Sequence, residues 1–456
     1  MSKTKTIWSF IIVIFILLIV GVFYLFNKTS YSLFTDDVEG KKTIELSVSS
    51  EGNCKNNVNS PYLSDGMIPV YFDETEKVWK KADKDNANYS WYNYCEQKWA
   101  NVVTVKDNRD VYQNSSFGTV ILDKDINTMF VWIPRFKYEL FNYNFDSKSS
   151  INPQKILLGF EKGTETTGSI SCEYKNLDEV CMANQKECVD NSCNGKIYTH
   201  PSFGEKYTGF WVSKFEVTGD LDNISVLPSK PSIRNASIRD FNDAISDMNK
   251  KNNQYGFDEN INIYMMNNLQ WGAVSYLTNS KFGNSSDIGI NNCSRYITGV
   301  GSTSGSKLDD FVCNNNDNLY YGKEGVKAST TGNVYGIYDM SGGAYEYVLG
   351  ASSKDGEIVP GLSGYTSSEK IDNINLYKNT DLSTDLSISK LGDGIREVKN
   401  GSFSWNEDYN NVANSKWPWF IRGGSAKDSS IAGIFASGYS SGTSGDDFST
   451  RIVILK

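Results

Sequence analysis

The sequence predicts a loop-rich α+β fold with two main helices, carried as a large head on one side of a membrane. Three observations predict it. Short runs of aromatic and β-branched residues recur along the 456-residue chain, each broken by Asp, Asn or Gly turns. Only two segments, Arg239 to Lys250 and Asn267 to Leu277, have helical spacing of their apolar residues. The 10 Trp, 27 Tyr and 23 Phe are too many for a disordered stalk, so the long connecting segments belong to a packed globule.

The first element is the uncharged apolar run from Ile7 to Phe26, close to the ~20 residues a helix needs to span a bilayer. Lys3 and Lys5 precede it; Lys28 and then Asp36, Asp37 and Glu39 follow. This asymmetry predicts a cytoplasmic tail (1–6), a signal-anchor transmembrane helix (7–26) and the bulk of the chain outside the cytoplasm, in a single-pass cell-membrane protein. A cleaved secretory signal is the alternative; Phe23-Tyr24-Leu25-Phe26 stands where small residues should mark its cleavage site. The processing junction of a type IV prepilin is missing.

Residues 27–65 read as a juxtamembrane linker with one alternating, strand-like stretch, Thr43 to Val48. Residues 66–128 read as a small β-rich module: Gly66 to Phe72, Trp79, Trp91 to Tyr94 and Trp99 to Val103 are short strand-like runs. A larger unit, 129–456, starts at Met129-Phe130-Val131-Trp132-Ile133-Pro134. In its helices, Phe241, Ala244, Ile245 and Met248 share one face, and Leu269, Trp271, Ala273 and Val274 another. A net charge of −9 argues against nucleic acid as a partner.

The 8 cysteines are Cys54, Cys95, Cys172, Cys181, Cys188, Cys193, Cys293 and Cys313. An even count in an exported head predicts disulfides, with sequence neighbours pairing as 54–95 and 293–313. The gaps in the cluster from Cys172 to Cys193 do not match the C-x2-C spacing of a common zinc site.

Four blocks follow in order: Phe130 to Pro134; Phe210 to Thr218 (FWVSKFEVT); Gly332 to Tyr347 (GNVYGIYDMSGGAYEY); and Phe420 to Ser425 (FIRGGS), with Arg451 near the end. Together they resemble the formylglycine-generating enzymes, also called sulfatase-modifying factors, over about residues 129–456. The resemblance implies a C-type lectin-like fold. It also implies a calcium ion held by the positions matching Asp339, Gly342, Ala344 and Glu346; the two carboxylates and two carbonyls offer hard oxygens of the kind calcium prefers. The residues alone allow a plainer reading, with Asp339 capping a turn and Glu346 facing solvent.

The chain departs from that family where the chemistry resides. Active members carry two copper-binding cysteines after the RGGS strand, whereas Ser425 to Lys456 contains none. A second class on this fold uses iron and a histidine cluster, and here His200 is the only histidine. Neither copper nor iron is expected, and His200, followed by Pro201, reads as a turn residue.

What remains is the C-terminal segment, which reads either as a recognition surface or as a solvated surface loop with no ligand. Ser437 to Asp447 is small and polar, and lies where the family places its substrate groove; Ser, Gly and Tyr on a rigid scaffold suit adaptable recognition. The candidate ligand-binding residues are Trp405, Tyr409, Trp417, Trp419, Arg422, Ser437, Tyr439, Asp446 and Asp447. The expectation is a non-catalytic binding or adhesion protein displayed at the membrane, recognising a protein or glycan. The variable proteins of diversity-generating retroelements, with the same fold, place recognition residues near the C-terminus in a similar way. An enzyme with an unrecognised site, or a structural spacer, are the alternatives.

Overall fold

A computed structural model of the chain describes residues 57–85, 91–142, 153–167, 197–303 and 307–456. The apolar run 7–26, the stretch 43–48, Cys54 and the cluster Cys172 to Cys193 lie outside the described residues. Among the described residues no helix is long and apolar enough to cross a membrane.

The architecture is mixed α+β, with several sheets, few helices and long loops. The largest sheet has 7 strands, in the order Asn262–Met265, Ile452–Leu455, Gly209–Ser213, Ile126–Pro134, Asn101–Val105, Ile68–Asp73 and Val78–Lys81. All its pairings are antiparallel. Ile126–Pro134 is buried along its whole length, which explains why MFVWIP reads as a continuous apolar run rather than an alternating one.

The sheet crosses the boundary expected near residue 128. Asn101–Val105 pairs with Ile126–Pro134 through Val102↔Phe130 and Val103↔Met129. Residues 66–128 are therefore not a separate module. Their strands bury one edge of the main sheet, and the described residues belong to one compact unit. Trp79 shows the merger in a side chain, donating from its indole to Tyr320 Oη at 3.1 Å.

A second, 6-stranded sheet is built on Tyr345–Lys354. It pairs antiparallel with Trp419–Arg422, which pairs with Ser437–Ser440, and parallel with both Phe448–Thr450 and Asn375–Lys378. These long-range pairings bring the third sequence block, the fourth block and the C-terminal segment side by side.

Both expected helices form. Ile238–Ser246 buries Ile238, Phe241 and Ile245, and Met248 follows in a 3₁₀ turn. Asn268–Thr278 buries every residue, not only an apolar face. Each starts with a reciprocal capping box, Ser237 with Asp240 and Asn267 with Gln270, which satisfies backbone donors that the first turn leaves free. A third helix, Arg109–Asn114, is only one and a half turns long and leaves no periodic signal to read.

Candidate functional site

The third block wraps around a buried lysine. Lys214 Nζ donates to Asn101 Oδ1 at 2.9 Å, Val334 O at 2.6 Å and Gly336 O at 2.8 Å, which uses all three ammonium protons. It pins the turn 332–338 onto the large sheet.

Beyond that turn lies a buried group of charges. Both oxygens of Glu346 bind Arg451, Oε2 accepting from Nε at 2.7 Å and Oε1 from Nη2. Arg451 also donates to Ser213 O and Tyr338 O. Asp339 accepts from Asn291 Nδ2 at 2.8 Å and from the Gly299 amide. Glu216 Oε1 accepts from the Ala344 amide at 2.8 Å. Gly343, at φ 75°, has no room for a Cβ because Glu216 Oε1 occupies that space. Burial pushes all three carboxyls up: Asp339 to about 6, Glu346 to about 7, and Glu216, which also feels the other two, well beyond the carboxylate range. Among the described residues Glu216 forms no ion pair.

At the positions that the resemblance assigns to calcium, both carboxylates and the Ala344 amide have protein partners. Glu346 gives both oxygens to a guanidinium, and the Ala344 amide points its proton at Glu216. Among the described residues no group of three or more His, Cys, Asp or Glu is placed to hold a metal ion.

His200 caps a 3₁₀ turn as its sequence suggests. Its imidazole is buried between Ser202 Oγ and Gly392 O, both at 2.9 Å, and burial pulls it down to about 3. Cys293 and Cys313 form a disulfide. Cys95 is disulfide-bonded as well, while the position of Cys54 is outside the described residues.

The nine expected ligand residues separate into three groups. Trp405, Trp419 and Arg422 are core side chains that offer no surface to a ligand. Trp405 packs against Phe141 and Phe435, and the Trp419 indole donates to Pro360 O at 2.9 Å. Arg422 is enclosed, donating to Ala436 O, Asn268 Oδ1 and Asp393 O. The sequence misleads at these positions because a tryptophan or arginine in a loop-rich chain gives no sign of its burial. Trp417 is 37% exposed and stands apart, and Asp446 and Asp447 pair with Lys427.

Tyr409, Ser437 and Tyr439 form the third group, and they converge. They line an open cavity of about 270 Å³ together with Tyr345, Ile421, Gly424, Asp428, Ile431, Ala436, Gly438 and Phe448. Its floor is the second sheet, where Tyr345 pairs with Phe448 and Ile421 with Gly438. Gly438 keeps the cavity open: a Cβ there would come within 3.2 Å of Ile421 and 3.5 Å of Tyr409. Tyr345, Tyr409, Tyr439 and Phe448 are all half-buried. Burial pushes the Tyr409 phenol up to about 12, with Tyr439 adding to the shift, so it stays neutral.

Tyr345, Phe448 and Asp428 are not legible as site residues in the sequence. Tyr345 alternates with Tyr347 and reads as core, and its parallel pairing with Phe448, some hundred residues away, has no local signature. The chain matches no protein-family model and no curated protein.

Proposed function

We propose that the head is a binding module of an envelope-anchored protein, and that the aromatic cleft between Tyr345, Tyr409, Tyr439 and Phe448 is its recognition surface. One observation carries this reading. Residues from the C-terminal segment that composition alone marks for recognition meet in a concave, half-exposed, aromatic-walled cavity rather than filling it with their own side chains. Concave apolar sites with a few polar groups are the usual form of a ligand pocket. The ligand class is a protein or a glycan of the cell envelope. We read the fold as a degenerate relative of the formylglycine-generating enzymes, with a C-type lectin-like arrangement; the four ordered sequence blocks are what supports this reading.

A binding role fits the chemistry better than catalysis. The carboxyls that burial pushes up most, among them Glu216, Glu346, Glu397 and Asp408, are enclosed in the interior and do not line the cleft. The test is a screen of the full chain, in a maltoside detergent, against glycan and envelope-protein arrays, with Gly438→Leu as the control. Leu at 438 fills the cavity at a position whose backbone tolerates any residue. Binding by the wild type and its loss in a variant of equal melting temperature supports the reading. Equal binding by both moves recognition elsewhere.

A further inference from the structure

We propose that the cleft takes an alkylammonium group. The inference rests on the cleft being the binding surface and adds the charge and shape of what enters it. The walls are four aromatic rings and the side chains of Ile421, Ile431 and Ala436. The charged group lining the cavity is Asp428.

The polar partners of that carboxylate are neutral: Oδ1 accepts from Tyr345 Oη at 2.6 Å, and Oδ2 accepts from the Ser425 amide at 2.9 Å. Among the described residues no lysine or arginine forms an ion pair with it. The adjacent Lys427 turns away to Asp447, at 3.0 Å. The cleft therefore combines a carboxylate lacking a counter-ion with ring faces whose quadrupoles attract cations. The neighbouring phenols keep their protons: burial raises both Tyr345 and Tyr409. An anion would meet Asp428 directly, and a sugar would find few planar polar side chains to pair with its hydroxyls. A cation with an apolar skin satisfies both the walls and the charge.

Within the proposed ligand class, the side chain of a lysine on a partner protein carries that chemistry. The experiment titrates the full chain in maltoside with choline and its neutral isostere 3,3-dimethyl-1-butanol. A second pair is N-acetyl-lysine methylamide and its norleucine counterpart. The expected result is at least tenfold tighter binding of a cation than of its neutral partner. Asp428→Asn, with an unchanged melting temperature, should remove that discrimination. Tighter binding of the lysine derivative supports the partner-protein assignment, and tighter binding of choline overturns it in favour of a choline-type headgroup. Equal affinities for charged and neutral probes, both lost in Gly438→Leu, overturn the charge assignment and leave the cleft standing as the recognition surface. Failure of all four probes to bind overturns the inference as well, and the array screen then decides the cleft independently.

Discussion

Glu216, Asp339 and Glu346 share one arginine in the interior, and this sets a pH response. Glu216 is held far above its ordinary value of 4.5, so folding takes up a proton there. The stabilisation is full below about pH 4.5 and is lost as pH rises. Glu216→Gln mimics the protonated state and should flatten this alkaline loss in melting curves taken across pH 5–9, with little cost at acid pH. Glu346→Gln should instead cost about 3–5 kcal/mol in denaturant titrations, since it leaves Arg451 buried without its counter-charge. His200 acts with the opposite sign: held down at about 3 from 6.5, its contribution is full above 6.5 and falls as the pH drops below it. At this scale the sequence was legible for His200, whose following proline marks the turn. It was not legible for Glu346. Alternation placed that residue opposite Tyr345 and Tyr347, but its partner lies more than a hundred positions away.

Helix Asn268–Thr278 shows how much an element's surroundings override its own preferences. Its position and cap are readable from Asn267 and Gln270, yet its burial on all sides is not, because its polar residues are enclosed by other elements: Asn268 donates to Tyr377 on a distant strand, Gln270 to Tyr264 on the preceding strand, and Ser275 to the Ile434 carbonyl. Gly272 lies inside it. On an exposed helix, Gly→Ala stabilises by up to about 1 kcal/mol. Here a Cβ would overlap the Gly392 carbonyl oxygen, so Gly272→Ala should lower the melting temperature instead of raising it. The loop closed by Cys293 and Cys313, separated by 20 positions, supplies another element-level test. The paired serine variant should lose about 3 kcal/mol by removal of the loop constraint, read from its melting temperature under oxidising conditions. That pairing follows from neighbouring cysteines in sequence. The joining of 66–128 to the main sheet does not, since strand pairing across a chain leaves no mark in either strand's own pattern.

Across the whole molecule, two sheets and the loops between them bring the four ordered blocks to one region, while the C-terminal segment supplies a cleft beside it. The guanidinium of Arg451 occupies both oxygens of Glu346 that a calcium ion would need, so a chelator should leave the melting temperature unchanged; a chelator-dependent drop would return calcium to the account. The short aromatic and β-branched runs and the two helical segments made the general class of fold legible, and the composition of 437–447 pointed to the neighbourhood of the cleft. The residues that complete it arrive from Tyr345, Asp428 and Phe448, which only the assembled sheet brings together. The most direct test of the account is the dissociation constant of an array-identified ligand for the wild type and for Gly438→Leu at matched stability. The account predicts at least a tenfold weaker affinity for the filled cleft; an unchanged constant would contradict it.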